Sequence, residues 1–180
     1  MEKTVIIYES KYGSTRRYAE WLSKALSCPI FENQSFSAKN FAKYENIIYG
    51  GGLYAGGVSG IRLLTKNWNL LSGKKVILFT CGLSDPSEPA NVSHIREALS
   101  LALPDEMMKS MVLFHLRGGI NYAKLSIVHK FMMSMLRRML QKKDPSELTS
   151  EDKQLLETYG KEIDFTDRTT LQPIIDYISS

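Results

Sequence analysis

Short apolar runs alternate along this chain with segments of helical periodicity, and that alternation leaves few folds open. Val5-Ile6-Ile7-Tyr8, Asn46-Ile47-Ile48-Tyr49, Lys75 to Thr80 and Met111 to Leu116 are continuous β-prone runs. Such runs mark strands covered on both faces. Cys28 to Phe31 reads as a shorter second strand. Between them, Tyr18, Leu22, Ala25 and Leu26 recur at helical spacing, as do Ile61, Leu64, Trp68 and Leu71, and then Ile95, Ala98, Leu99, Ala102 and Leu103. The second of these helices follows Ser59 and closes at Gly73. Strands joined by single helices run parallel, and right-handed crossovers on both faces give a doubly wound α/β sheet of five strands.

The rhythm breaks from Tyr122 to Asp164. One long helix is expected over about Lys124 to Lys143, then a charged linker and a shorter helical segment, together an insert of residues 122–164. Asp164-Phe165-Thr166-Asp167 precedes a closing helix that buries Leu171, Ile174, Ile175 and Ile178, with Pro173 in its first turn. At 180 residues, 43% of them hydrophobic, the chain suits one domain, residues 1–180, with the insert inside it.

No leader-like segment opens the chain, so a cytoplasmic location is expected. Cys28 and Cys81, far apart, read as reduced core thiols rather than a disulfide or a CxxC pair. No apolar stretch approaches the roughly 20 residues that span a bilayer. The net charge of +4 leans toward acidic partners. Without a basic stripe bearing aromatics, or any finger, RNP or helix-turn-helix signature, nucleic acid is not an expected partner. No metal-ligating set is apparent and no catalytic residue is assigned.

Chemistry concentrates in Ser10-Lys11-Tyr12-Gly13-Ser14-Thr15, between the first strand and the first helix. Backbone N–H groups and the positive helix end converge at such a place, and an anion fits there. Ser10, Ser14 and Thr15 offer hydroxyl donors, and Gly13 lets the backbone turn closely. The loop is not GxxxxGK[ST], which excludes the P-loop, and it lacks GxGxxG, which leaves a monophosphate as the better ligand. Arg16 and Arg17 oppose the helix dipole unless an anion is near; alternatively Arg16 simply pairs with Glu20. An ordinary capped turn is the plainer reading of the loop as a whole.

This motif resembles the flavodoxin phosphate loop, [ST]-x-[ST]-G-x-[ST], with Tyr12 standing where the family has a small hydroxyl residue. The resemblance covers roughly Thr4 to Leu116 and Phe165 to Ile178. It implies a flavodoxin-like sheet of strand order 2-1-3-4-5, flavin mononucleotide (FMN) as cofactor, and loops after the third and fourth strands that enclose the flavin ring. Those loops carry Gly52, Leu53, Tyr54 and Gly56, and then Thr80, Cys81, Gly82, Leu83 and Ser84. Tyr54 is the candidate stacking ring. Gly82 to Pro89 contains no aromatic residue, so a second wall is missing.

In the insert, Leu125, Val128, Met132, Met135, Leu136, Met139 and Leu140 gather opposite Lys130, Arg137, Arg138 and Lys142, a basic amphipathic helix. Its apolar face has three candidate destinations: the domain's own core, a second copy in a homodimer, or peripheral contact at the inner face of a membrane. The insertion point is similar to that of the menaquinone-dependent protoporphyrinogen oxidase type of flavodoxin-like enzyme. That resemblance implies an oxidoreductase passing electrons from a porphyrinogen to a quinone, with His115, Arg117 and Tyr122 near the substrate. A soluble electron carrier docking a redox partner protein is the other flavin reading. A flavodoxin-like interaction or regulatory module without cofactor is the alternative outside it.

Overall fold

In the computed structural model, which describes residues 3–54 and 57–180 (without the side chains of 150 and 151), the first apolar run is strand β1 (Thr4–Glu9). It leads into helix α1 (Ser14–Leu26) and the short strand β2 (Ile30–Glu32). The third strand, β3 (Asn46–Tyr54), runs through three glycines and turns back as β4 (Gly57–Val58), which pairs with it antiparallel. Only Asn46 to Tyr49 is expected as strand from hydrophobicity. The extension exists because Gly50 faces the Phe79 ring and Gly51 faces Val58, and neither place has room for a Cβ.

The helix expected over Ile61 to Leu71 is two short pieces, α2 (Arg62–Lys66) and a 3-10 turn at Trp68–Leu71. The Asn67 side chain donates to the Leu63 carbonyl at 2.8 Å, which closes the first piece. Strand β5 (Lys75–Gly82), helices α3 (Pro89–Ala102) and α4 (Asp105–Ser110), and strand β6 (Met111–Arg117) follow. Helix α4 is absent from the expectation, although Pro104 before Asp105 and Glu106 is a helix-start signal.

The sheet order is β2-β1-β3-β5-β6, every adjacent pair on that path parallel. Counting only these five, it is the expected 2-1-3-4-5. Alternation along the strands sends Val5, Ile7, Ile47, Tyr49, Val76 and Leu78 to one face, where α2, α3 and α4 contribute Leu64, Leu99 and Met107. Ile6, Tyr8, Ile48, Ile77, Phe79 and Cys81 go to the other, under α1 and the C-terminal helix α7 (Gln172–Ser179). On α7 the inward residues are Ile174 and Ile178, with Leu171 in the preceding 3-10 turn and Ile175 only partly covered.

The insert leaves and returns through a two-stranded antiparallel ribbon, β7 (Gly119–Asn121) with β8 (Glu162–Asp164). A Cβ on Gly119 would sit 2.5 Å from the Ile163 carbonyl oxygen, so the ribbon closes only around a glycine. Between the two strands lie α5 (Ile127–Leu140) and α6 (Ser150–Thr158). Helix α5 is shorter than the expected Lys124 to Lys143, because Ser126 caps its start by accepting from His129 N–H at 3.3 Å. A capping box of Thr149 and Asp152 starts α6.

Tyr18 ties the insert's return to the sheet. Its buried hydroxyl donates to the Arg117 carbonyl at 2.7 Å and accepts from Asp167 N–H at 3.0 Å. Beside it, Arg17 pairs with Asp164 and Thr166.

Candidate functional site

Parallel strands place their carboxyl ends along one edge, so the turns after β1, β3 and β5 meet there, where the strand order switches between β1 and β3. A cavity of about 260 Å³ occupies that edge. The first turn contributes Ser10, Tyr12, Ser14 and Thr15, the end of β3 contributes Leu53 and Tyr54, and the end of β5 contributes Cys81, Gly82 and Leu83. Nine of the residues singled out in the sequence therefore share one wall system.

Gly13 adopts φ 100°, the left-handed conformation that glycine reaches without a Cβ penalty, and it caps α1. Ser10 Oγ accepts from Gly13 N–H at 3.1 Å and closes the turn. Ser14 Oγ accepts from Gly119 N–H at 3.1 Å, which leaves its own hydrogen for a second partner. Thr15 is buried in the first turn of α1, beside Cys81. The first-turn N–H groups of a helix have no carbonyl one turn earlier, so this turn presents donors and a partial positive charge.

The remaining sequence candidates lie elsewhere. Lys11 is exposed, with its ammonium 5.7 Å from the Tyr12 ring centre. Gly52 lies under the Tyr54 ring, where a Cβ would come within 2.7 Å of it. Thr80 points to the opposite sheet face from Cys81, as neighbours on a strand must, and its hydroxyl meets His115 Nδ1 at 2.7 Å. Ser84 is not among the residues lining the cavity, and Gly56 is outside the described residues. Arg16 pairs with Glu20 at 2.8 Å, the plainer of its two readings.

Nor do His115, Arg117 or Tyr122 line this cavity. The His115 Nε2 is buried without a hydrogen-bond partner, and burial, with the Arg96 charge adding, lowers its pKa to about 4. Arg117 is a structural hub. It reaches the Leu83 carbonyl (3.3 Å), Asp85 (2.8 Å) and Gln154 of α6 (2.5 Å), while its guanidinium lies 3.8 Å from the Phe165 ring centre. Hydrogen bonds from Ser87, with the Arg117 charge, hold the Asp85 carboxyl below its usual range. Tyr122 is buried against Tyr159, 4.9 Å between ring centres.

The insert supplies the wall absent from the β5 turn. Leu125, His129, Met132 and Met133 come from α5 and the residues before it, and Gly118, Gly119 and Ile120 from the base of the ribbon. None of these was singled out for the site from the sequence, although a helix rich in Met and placed after the last sheet strand was the available signal. The His129 ring stacks on Tyr54 at 5.4 Å and 24°, and both rings touch Tyr12. Burial pushes the Tyr54 hydroxyl and the Cys81 thiol up to about 12 each, so both stay protonated at neutral pH. Among the described residues no group of three or more His, Cys, Asp or Glu could hold a metal ion. The chamber suits a largely apolar, flat ring with an anionic tail at the start of α1.

Residues 5–147 match the flavodoxin domain family. None of the curated proteins matches the chain. Similar solved structures include the Trp repressor binding protein from Bacillus subtilis, 14% identical over 64% of this chain and 83% of that one, TM-score 0.46. Flavodoxin 2 from Bacillus cereus is 17% identical over 86% and 93%, TM-score 0.42. A flavoprotein in complex with FMN from Lactobacillus acidophilus NCFM is 17% identical over 65% and 93%, TM-score 0.42.

Proposed function

Because the chain belongs to the flavodoxin domain family, whose match spans residues 5–147, we propose that it binds FMN in the cavity at the strand ends and works as a flavin-dependent redox protein. One observation carries this reading: the hydroxyl-bearing turn at the start of α1 and the Tyr54-lined chamber are parts of one cavity. Ser10, Ser14 and Thr15, with the first-turn N–H groups, would hold the phosphate, and Tyr54 and Leu83 would face the ring. The bound flavin would supply the redox chemistry, accepting and passing on electrons and hydrogen, while the protein orients it and excludes water. Titration of the apoprotein with FMN, followed by flavin fluorescence, tests this. Saturable binding that Ser14→Ala/Thr15→Ala weakens at least about tenfold is expected, since hydrogen bonds to a charged phosphate are the strong kind; a variant that binds as the wild type does would contradict the assignment.

Within that class we propose an oxidoreductase of the quinone-linked protoporphyrinogen oxidase type acting at a membrane surface, rather than a soluble carrier. Ile127, Val128, Phe131, Met135 and Met139 stand exposed on the outer side of α5, Ile127 at 87%. Residues 122–143 hold six Lys and Arg and no Asp or Glu, more positive charge than the whole chain's net +4. Exposed apolar side chains on a segment that also carries cations complement an anionic lipid surface, which attracts basic groups and takes up the apolar ones. The apolar face read from the sequence is thus divided: Leu125 and Leu140 are buried, Met132 lines the cavity, and Val128, Met135 and Met139 face outward. Among the described residues no helix is long and apolar enough to cross a membrane, so the contact would be peripheral. Co-sedimentation with anionic vesicles, lost at high salt and in Phe131→Glu/Met135→Glu, is the expected result. A concentration-dependent dimer with no vesicle binding would instead assign this face to a second copy of the chain. Turnover of a quinone and a porphyrinogen by the FMN-loaded protein tests the enzyme class.

A further inference from the structure

Tyr12 is the one position of the phosphate loop that departs from the family pattern, and the structure shows what it does there. Its hydroxyl lies 2.7 Å from His129 Nδ1 and accepts from Ser126 N–H at 3.4 Å. The phenol and the imidazole are thus hydrogen-bonded to each other, and the same phenol oxygen takes the Ser126 N–H. One side chain of the loop therefore grips both the cap of α5 and the first inward-facing ring on it. That ring stacks on Tyr54, the only aromatic residue that the β3 end brings to the cavity.

On the flavin reading above, we propose that His129 is an aromatic wall of the cofactor site, delivered by the insert and set in place by Tyr12. The β5 turn offers Gly82 and Leu83 to the cavity and no ring, so the wall that turn lacks has to come from another element. His129 and Tyr54 are now 5.4 Å apart between centres. A flat ring entering between two others needs about 7 Å, two van der Waals thicknesses, so a flavin on Tyr54 either parts the pair or lies along its edge. Either way it contacts His129, and α5 moves or settles with it. Affinity and insert position are then coupled, and the coupling is reciprocal: what His129 contributes to holding flavin, flavin contributes to holding α5. Tyr12 is the positioning residue, acting on the cofactor through His129.

The test is an FMN titration of the wild type, Tyr12→Phe, His129→Ala, His129→Phe and the double variant Tyr12→Phe/His129→Ala. Amide hydrogen exchange over residues 127–140 is measured with and without FMN. Far-UV circular dichroism establishes that each apoprotein is folded. His129→Ala is expected to weaken FMN about tenfold, the scale of one ring contact. The double variant should be no weaker than His129→Ala alone, because Tyr12 works through that ring. His129→Phe, which keeps a ring, should recover most of the loss, and FMN should slow exchange in α5 of the wild type but not of His129→Ala. A helix staple without a cofactor role would leave affinity and the FMN effect on exchange unchanged, and that result overturns the proposal while the flavin reading stands. A wild type that binds no FMN overturns both.

Discussion

At position 50 a methyl group would land 2.1 Å from the Phe79 ring, inside a core where neither partner can move aside. Gly50→Ala is expected to cost about 2–3 kcal/mol, as overpacked cores do, read as a lower urea midpoint at unchanged slope. The Tyr18 hydroxyl, bonded on both sides and buried, sets a second residue-scale expectation. Tyr18→Phe removes the hydrogen bond of both partners, leaving a part-buried N–H and carbonyl, and should cost about 1–2 kcal/mol. His115 adds a pH dependence. Its folded pKa, about 4, lies below the unfolded value of 6.5, so between those values the unfolded chain takes up a proton that the folded one refuses. Stability is therefore whole above about pH 6.5 and falls as pH drops toward 4. Denaturation midpoints at pH 7 and pH 5 should differ, and His115→Gln should narrow the difference. At this scale the sequence showed which residues carry hydroxyls and rings but not where they aim. Thr80 and Cys81 are neighbours in the chain, and strand alternation sends one to His115 and the other to the cavity.

Among elements, the strands and their order were legible because both faces of a parallel sheet are covered, and that demands unbroken apolar runs such as Val5 to Tyr8. Helix α2 was misjudged in length, since spacing alone does not reveal that Asn67 takes the Leu63 carbonyl. The sequence shows a break in rhythm from Tyr122 to Asp164, yet the ribbon of β7 and β8 was not legible: three-residue strands leave no periodicity to read. Helical spacing placed the apolar residues of α5 together but could not divide them, because the division depends on where Tyr12 and Tyr54 stand in space. Arg117 holds this arrangement to the sheet through Asp85, Gln154 and Phe165. Arg117→Ala should cost about 1–3 kcal/mol and speed proteolytic cleavage between α5 and α6, measured against the wild type under native conditions.

For the molecule as a whole, the sheet edge, the first helical turn and the insert build one cavity from segments far apart in the chain, and folding around a ligand should show in stability. A ligand that binds only the folded state at about 100 times its Kd adds about 2.7 kcal/mol. For a chain of 180 residues that corresponds to a Tm rise of about 5–10 °C, expected with FMN and absent with riboflavin at equal concentration if the phosphate turn carries much of the affinity. The most direct measurement of the central claim is the visible absorption spectrum of the freshly purified protein, with the chromophore released by denaturation and identified. The two visible bands of an oxidised flavin and release of FMN are the expected result. A colourless protein that takes up no added FMN would contradict the account.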